Sequence, residues 1–377
     1  MKPIARFTLA GGAGLAAAAF FALPAHASSP DHNHFGHSAV FVQSDNTAGN
    51  TVTAYRRGDD GALTEAATYA TGGLGGVLAG SVVDHLASQG SLTYDHSSHL
   101  LYAVNAGSDT ITVFAVRGDQ LHRVQVVASG GTFPVSIAAH GHLVYVLNAR
   151  NGGSVQGYVR LGEHLFRVPS WNRPLGLDPS QTPEFTSTPG QVAFTPDGSK
   201  LIVTTKNNHN QIDVFRLGLF GTPSAAPVVT PDPGNVPFAV TFDRSGRLQV
   251  AEAGPNAIAT YVVNRDGTLT FADRAATGQS ATCWITTAGT EVYAGNAGSG
   301  TISRFRADRA GLVSQGTTAT DAGTVDLAIS SDRRNLYAQT GAAGIVDEFA
   351  VSSDGALTKI GSVLVPGAVG GQGIAST

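Results

Sequence analysis

PGQVAFTPDGSKLIVTTKNNHNQIDVF, residues 189 to 215, is one complete repeat unit, and the rest of the chain from Ala39 onward is built from looser copies of it. Val192-Ala193-Phe194 is a short apolar run, and Pro196-Asp197-Gly198 supplies the fixed φ and the positive-φ position of a tight turn. Leu201 to Val203 opens a second run, Asn207-Asn208-His209-Asn210 makes another turn, and Ile212, Val214 and Phe215 form a third strand ending in an aromatic residue. The same closing signature recurs as TVTAY at Tyr55, TITVF at Phe114, SVQGY at Tyr158, QIDVF at Phe215, AIATY at Tyr261, TISRF at Phe305 and IVDEF at Phe349, on average 49 residues apart. A period of roughly 40 to 50 residues is that of a four-stranded propeller blade. The sequence therefore predicts an all-β, seven-bladed β-propeller of four-stranded antiparallel blades.

The first repeat lacks the apolar strand that should precede Ala39-Val-Phe-Val42. Gly371-Gln372-Gly373-Ile374-Ala375 reads like the opening of the other repeats, as in Pro189-Gly-Gln-Val-Ala193. The C-terminal strand is thus expected to join the first blade and close the ring, which removes free sheet edges between the first and last blades. Residues 39–377 form one propeller domain on this reading.

At the other end, Lys2 and Arg6 precede a Gly/Ala/Leu/Phe run from Phe7 to Leu23, and Ala25-His26-Ala27 fits a small-residue cleavage site. Residues 1–27 are read as a signal peptide, and the protein as secreted or extracytoplasmic. Residues 28–38 follow as a flexible His-rich tail, in which Asp31, His32, His34 and His37 are crowded without apolar periodicity. Such a tract can hold a transition metal but more commonly serves as an unstructured terminus, so no metal site is assigned. Removing Lys2 and Arg6 takes the formal charge from −4 to −6, which argues against nucleic acid and gives no reason to expect an anionic membrane surface. With one cysteine, Cys283 in an apolar Thr-Cys-Trp-Ile setting, stability must come from packing between sheets rather than from crosslinks. No cofactor is implied, and a monomer binding a small-molecule ligand is expected.

The up-and-down strand order separates the two faces of the disc. Pro196-Asp-Gly198, Asp60-Gly61, Asp266-Gly267 and Asp354-Gly355 fall on one face, the bottom, as plain turn chemistry. The other face, the top, collects Gln191, Lys206, His209, Glu252, Trp284, Asn105, Asn148, Asn296 and Asp326, with two long connections. One is Thr71 to Gly90, with a short helix expected over Val77 to Ser88; its glycines lack the Lys-Ser/Thr and strand-helix frame of a phosphate loop and are read as turns. The other is Pro169 to Thr188, whose prolines favour an extended path and which carries Arg173. Ligand chemistry is expected around the top mouth of the central channel.

GGLG at 72 to 75 with SQGSL at 88 to 92, LLYAVNAGSDTITVF at 100 to 114, GGTFPVSIAAHGHLVYVLNA at 130 to 149 and PGQVAFTPDGSKL carry a resemblance to the lactonase-type seven-bladed propellers, the family of 6-phosphogluconolactonases and fungal carboxymuconate cyclases. The likeness spans Ala39 to Thr377 and implies a hydrolase acting on a cyclic ester. In the phosphogluconolactonase-like members the corresponding inner strand opens with Pro-Arg-His, and an acid often follows the second strand. Here the matching positions read Pro189, Gly190, Gln191, then Thr205 and Lys206, so the family's His and Arg are not in place.

Residues of suitable chemistry remain. Glu252 and Asp326 could activate water against a lactone carbonyl, and Lys206 could stabilise an oxyanion. Glu252 could equally be a salt-bridge partner, Asp326 a holder of ordered water, and Lys206 an idle surface cation. Gln191, Trp284, Asp84, His85, Asn105, Asn148, Asn296 and Arg173 are the candidate ligand contacts; Trp284 would floor a ring or pack in the core. Two function classes stand side by side: a lactonase-like enzyme on a non-phosphorylated lactone, and a non-catalytic propeller presenting its top face to a ligand or protein.

Overall fold

The computed structural model describes residues 38–377. The leader and the His-rich tract through His37 lie outside the described residues. Seven antiparallel sheets follow one another in chain order. The first blade runs, from the axis outward, Ile374–Ser376, Ala39–Gln43, Thr51–Arg57 and Leu63–Ala70. The C-terminal strand pairs Val42 with Ile374, Phe41 with Ala375 and Val40 with Ser376, as the Gly-Gln-Gly-Ile-Ala signature implies. The other inner strands are Leu92–Asp95, Pro134–His140, Val192–Phe194, Pro237–Phe242, Thr282–Ala288 and Thr324–Ile329. The third blade carries an extra two-residue strand, Arg173–Pro174, beside Ser154–Leu161.

The closing aromatics are what join blade to blade. All seven are buried, and each sits in an apolar cluster with side chains of the preceding blade: Phe114 with Phe41, Phe305 with Phe238, and Phe349 with Tyr293. Burying one such ring contributes about 3 kcal/mol. Tyr158 and Tyr55 also donate their hydroxyls backward, to the carbonyls of Ala128 and Leu364. A second aromatic register, on the second strands, ties the third, sixth and seventh blades forward. Tyr293 and Tyr337 donate to the carbonyls of Gly355 and Gly61, both at 2.8 Å, and Tyr145 to that of Gly221. The Asp-Gly turns expected to be plain turn chemistry are therefore also docking points between blades.

The two long connections depart from expectation. Val77 to Ser88 contains turns and no helix. The segment holding Pro169 to Thr188 has a single 3-10 turn at Pro169–Trp171 and one helical turn at Glu184–Ser187. Asp84 shows why the first stays irregular: its carboxylate accepts the N–H groups of Leu86, Ala87 and Ser88 at 2.9 to 3.1 Å, which replaces helix hydrogen bonds by side-chain capping.

Candidate active site

Segment 77–90 closes the top mouth of the channel. Working along it, Val83 lies over the seventh blade, where a Cβ on Gly341 would meet the Val83 carbonyl oxygen at 1.7 Å, so only glycine fits there. The His85 N–H donates to Gly370 O at 2.8 Å, Ser88 Oγ to Val135 O at 2.9 Å, and the Gln89 N–H to Gly190 O at 3.2 Å. Gln89 then clasps the sixth blade on both sides, donating Nε2 to Ile285 O at 3.0 Å and accepting from the Ile285 N–H at 2.8 Å. Trp284 donates its indole N–H to Ser88 O at 2.8 Å. Partners on the first, third, fourth, sixth and seventh blades place the segment across the axis, with Leu78 and Leu86 fully buried.

Below this plug the inner strands line an open cavity of about 370 Å³. It runs from Gln89 and Gly90 down to His140 and Pro196 at the turn ends of two inner strands, so its open end faces away from the top. Asp326 and Gln191 line it. Gln191 accepts the Val240 N–H on Oε1 at 2.6 Å, which leaves its Nε2 as the donor of that side chain. Asp326 sits at a β-bulge with φ +40, its Oδ1 accepting the Leu327 N–H at 2.9 Å and its Oδ2 accepting Gln372 Nε2 at 2.8 Å and the Ile374 N–H at 3.3 Å. Burial pushes its carboxyl up to about 7 against these stabilising bonds, with a further push from Asp84.

Asp326 belongs to a group of buried acids under the plug. Burial takes Asp84 up to about 7 and Asp45 up to about 8, and Asp45 also feels Asp84 and Asp326. Asp45 accepts Gln43 Nε2 at 2.5 Å and the Gln372 N–H at 2.8 Å. Gln372 links the group: its N–H reaches Asp45, its Nε2 Asp326, and its Oε1 accepts from Ser88 Oγ at 3.2 Å. Lys206 faces the plug with 1 % exposure, donating Nζ to Ala87 O and Phe185 O at 2.6 Å and to Thr188 Oγ1 at 3.0 Å. Burial lowers its ammonium to about 7, opposed by the attraction of Asp84.

The remaining candidates sit elsewhere. Glu252 is fully buried in a two-pronged pair with Arg274, at 2.6 and 2.9 Å, on the outer side of its blade, and burial pushes it up to about 7. The structure does not bring Glu252 and Asp326 to one cavity. Asn105, Asn148 and Asn296 are fully buried and their amides hold their own hairpins, as Asn296 Nδ2 does with Ser303 Oγ at 2.9 Å. Arg173 donates to the carbonyls of Ser170, Asn172, Pro223 and Ser224, clipping its loop to the fourth blade. His85 is half-buried, its Nδ1 has no partner, and desolvation lowers its pKa. Trp284 packs edge-on against Phe238 and is part of the core. Cys283 is buried, its thiol pushed up to about 12.

Asp45, Gln89 and Gln372 were missed by sequence reasoning. For Gln372 a signal existed, since Gly371-Gln372 parallels Gly190-Gln191, where the glutamine was singled out. Asp45 and Gln89 carry none, because only the fold carries their segments to the axis.

The model of the family described as "Lactonase, 7-bladed beta-propeller" matches residues 4–162. Solved structures that share the fold include the following three. A protein of Lactobacillus plantarum is 16% identical with TM-score 0.73, covering 91% of this chain and 100% of its own. A protein of Bacteroides fragilis carrying the provisional name 6-phosphogluconolactonase is 17% identical with TM-score 0.71, covering 90% and 98%. The periplasmic gluconolactonase of Pseudomonas aeruginosa is 16% identical with TM-score 0.67, covering 91% and 99%. No curated protein matches the sequence.

Proposed function

We propose that the chain, whose residues 4–162 match the model of the lactonase-type seven-bladed β-propellers, is an exported, monomeric hydrolase that opens a non-phosphorylated lactone in the axial cavity, with Asp326 as the group that activates water. The observation that carries this reading is one carboxyl, raised to about 7 and lining a cavity of about 370 Å³ large enough for a small ring. Asp326 accepts a proton as water adds to the lactone carbonyl, Gln191 Nε2 donates to the developing oxyanion, and the ring C–O bond breaks with return of that proton to the leaving alkoxide. No arginine or lysine is among the described residues lining the cavity, and the ammonium of Lys206 is engaged by the plug, which favours a neutral substrate over a phosphorylated one. The leader sequence and the name of the Pseudomonas periplasmic gluconolactonase support an extracytoplasmic sugar lactone as the class.

The test is a pH-stat screen of neutral sugar lactones beside 6-phosphogluconolactone. Turnover of the neutral lactones is expected, with kcat/KM rising through about pH 7 as Asp326 ionises, and Asp326→Asn is expected to lower it by roughly 10²–10⁴ without unfolding the protein. A preference for the phosphorylated lactone, or an Asp326→Asn variant with full activity, refutes the reading. The closed top mouth and the engagement of Lys206 and Glu252 in structural contacts favour a second reading, a non-catalytic binding propeller. Wild-type protein that leaves every lactone at its uncatalysed rate decides for it.

A further inference from the structure

The hairpin between the third and fourth strands of the fourth blade ends, on the bottom face, in the most exposed pair of adjacent large apolar side chains among the described residues: Leu219 is 92 % exposed and Phe220 76 %. The turn that carries them is tied down. The Gly218 N–H donates to Thr222 O and the Gly221 N–H to Gly218 O, both at 2.8 Å, and Gly221 has φ +89, which glycine adopts without strain. Tyr145 of the third blade donates its hydroxyl to Gly221 O, and Arg173 donates to Pro223 O at 2.6 Å and to Ser224 O at 2.8 Å. Pinned at its base, the turn holds Leu219 and Phe220 outward, and apolar surface kept in water in this way marks an interaction site.

Cations stand at the base of the same hairpin. A hollow of about 680 Å³ between it and the fifth blade is lined by Lys200, Arg216 and Arg265, with Asp197 as its one carboxylate. Arg216 and Arg265 are exposed, and none of the three cations has an ion-pair partner within 4.0 Å among the described residues. Asp197 turns its carboxylate onto Thr195 Oγ1 at 2.6 Å and onto Ser199 at 2.8 and 3.0 Å. The next hollow along this face, of about 450 Å³, adds Arg244, Arg247 and Arg309 against Asp243 and Asp308. With Asp266 counted as well, the sector carries six cations and four carboxylates, whereas the formal charge of the whole chain is −4. Charges more than about 10 Å away are largely screened by salt, so an approaching surface meets the local sign. The Ser224 N–H donates to Arg216 O at the hairpin base, three residues before Leu219, which sets the apolar tip roughly 10 Å beyond the cations. An apolar tip in front and cations set back by that depth match the layering of a bilayer, hydrocarbon beneath phosphate. A protein groove fits less well, because two side chains cover far less than the roughly 800 Å² per partner of a stable protein interface. We propose that the bottom edge of the fourth and fifth blades docks on a bilayer with anionic phospholipid headgroups, Leu219 and Phe220 entering the acyl region while Arg216 and Arg265 meet the phosphates.

The test is co-sedimentation with vesicles of equal parts phosphatidylglycerol and phosphatidylcholine, using the chain from Ser28 onward, which contains the whole closed ring and lacks the apolar run from Phe7 to Leu23. Binding is expected, roughly tenfold or more weaker on phosphatidylcholine alone and in the double variant Arg216→Gln, Arg265→Gln, and weakening as salt is raised. The double variant Leu219→Ser, Phe220→Ser is expected to lower it by roughly tenfold or more at every salt concentration. All four positions are exposed, so both variants keep the fold. No binding to the anionic vesicles, equal binding to phosphatidylcholine alone, or wild-type binding by either double variant overturns the proposal. Sedimentation equilibrium showing a self-associated chain that Leu219→Ser, Phe220→Ser disperses also overturns it, since a second copy then covers the tip. Lactone turnover is not read in this experiment, so its failure leaves the lactonase reading standing, and the reverse.

Discussion

The buried acids under the plug predict a stability that falls as pH rises through neutrality, and Asp45 is where the effect is largest. Its carboxyl ionises near 3.8 when unfolded and is raised to about 8 by burial in the fold. A raised carboxyl contributes stability that is fully present below the unfolded pKa and is lost as pH rises through the folded one, because the native state holds a proton that the unfolded chain has released. Each pH unit of such a one-proton difference is worth about 1.4 kcal/mol, so Asp45 accounts for about 4 kcal/mol between pH 5 and 8. Asp84 and Asp326, both at about 7, act in the same direction, but the three repel one another and their effects do not simply add. Two groups oppose them. His85, lowered by burial, makes the fold gain stability as pH rises toward the ordinary histidine value, and Lys206, lowered to about 7, does so above pH 7. Scanning calorimetry from pH 5 to 8 should show the melting temperature falling by on the order of 5–10 °C, and Asp45→Asn should flatten the curve by about one proton. A wild-type melting temperature that rises across this range, or an Asp45→Asn curve parallel to wild type, refutes the reasoning.

Deleting Val369 to Thr377 removes the inner strand of the first blade together with Gln372, and should abolish cooperative unfolding or cost several kcal/mol of the roughly 5–15 typical of a domain; a truncated chain melting within a few degrees of the full one means that the ring is closed elsewhere. Arg274→Met leaves Glu252 buried without its partner and should cost about 3–5 kcal/mol at pH 8 in urea titrations, and less at pH 5, where Glu252, raised to about 7, is protonated. Cys283 should be unreactive toward a thiol reagent in the native protein at pH 8 and react only at the rate of unfolding, its thiol being buried and pushed up to about 12; rapid stoichiometric labelling contradicts this.

Blade number, strand order and ring closure were legible in the sequence because each is local or periodic. Alternation, a turn at Pro196-Asp-Gly198 and a closing aromatic specify a blade within some 30 residues, and seven copies specify the ring. The pairing of Ile374 with Val42, although distant in sequence, was also legible, since a repeat missing its first strand leaves one vacancy. Candidate site residues were legible only by type and by face. Asp326 was legible as a carboxyl of the top face, and the structure lines the axial cavity with it from a β-bulge. Alternation says nothing of what stands over a residue, however, and Lys206, expected on an exposed turn, is buried by a segment more than a hundred residues earlier in the chain. That segment is irregular, held by Asp84 and by contacts to five blades, and an irregular segment without period leaves no trace of its destination in its own composition. Whether the channel opens upward or downward, and which acids crowd together under the plug, are properties of contacts between distant parts of the chain. Tertiary structure alone decides them, because burial and Coulomb interaction depend on distance in space and not along the sequence.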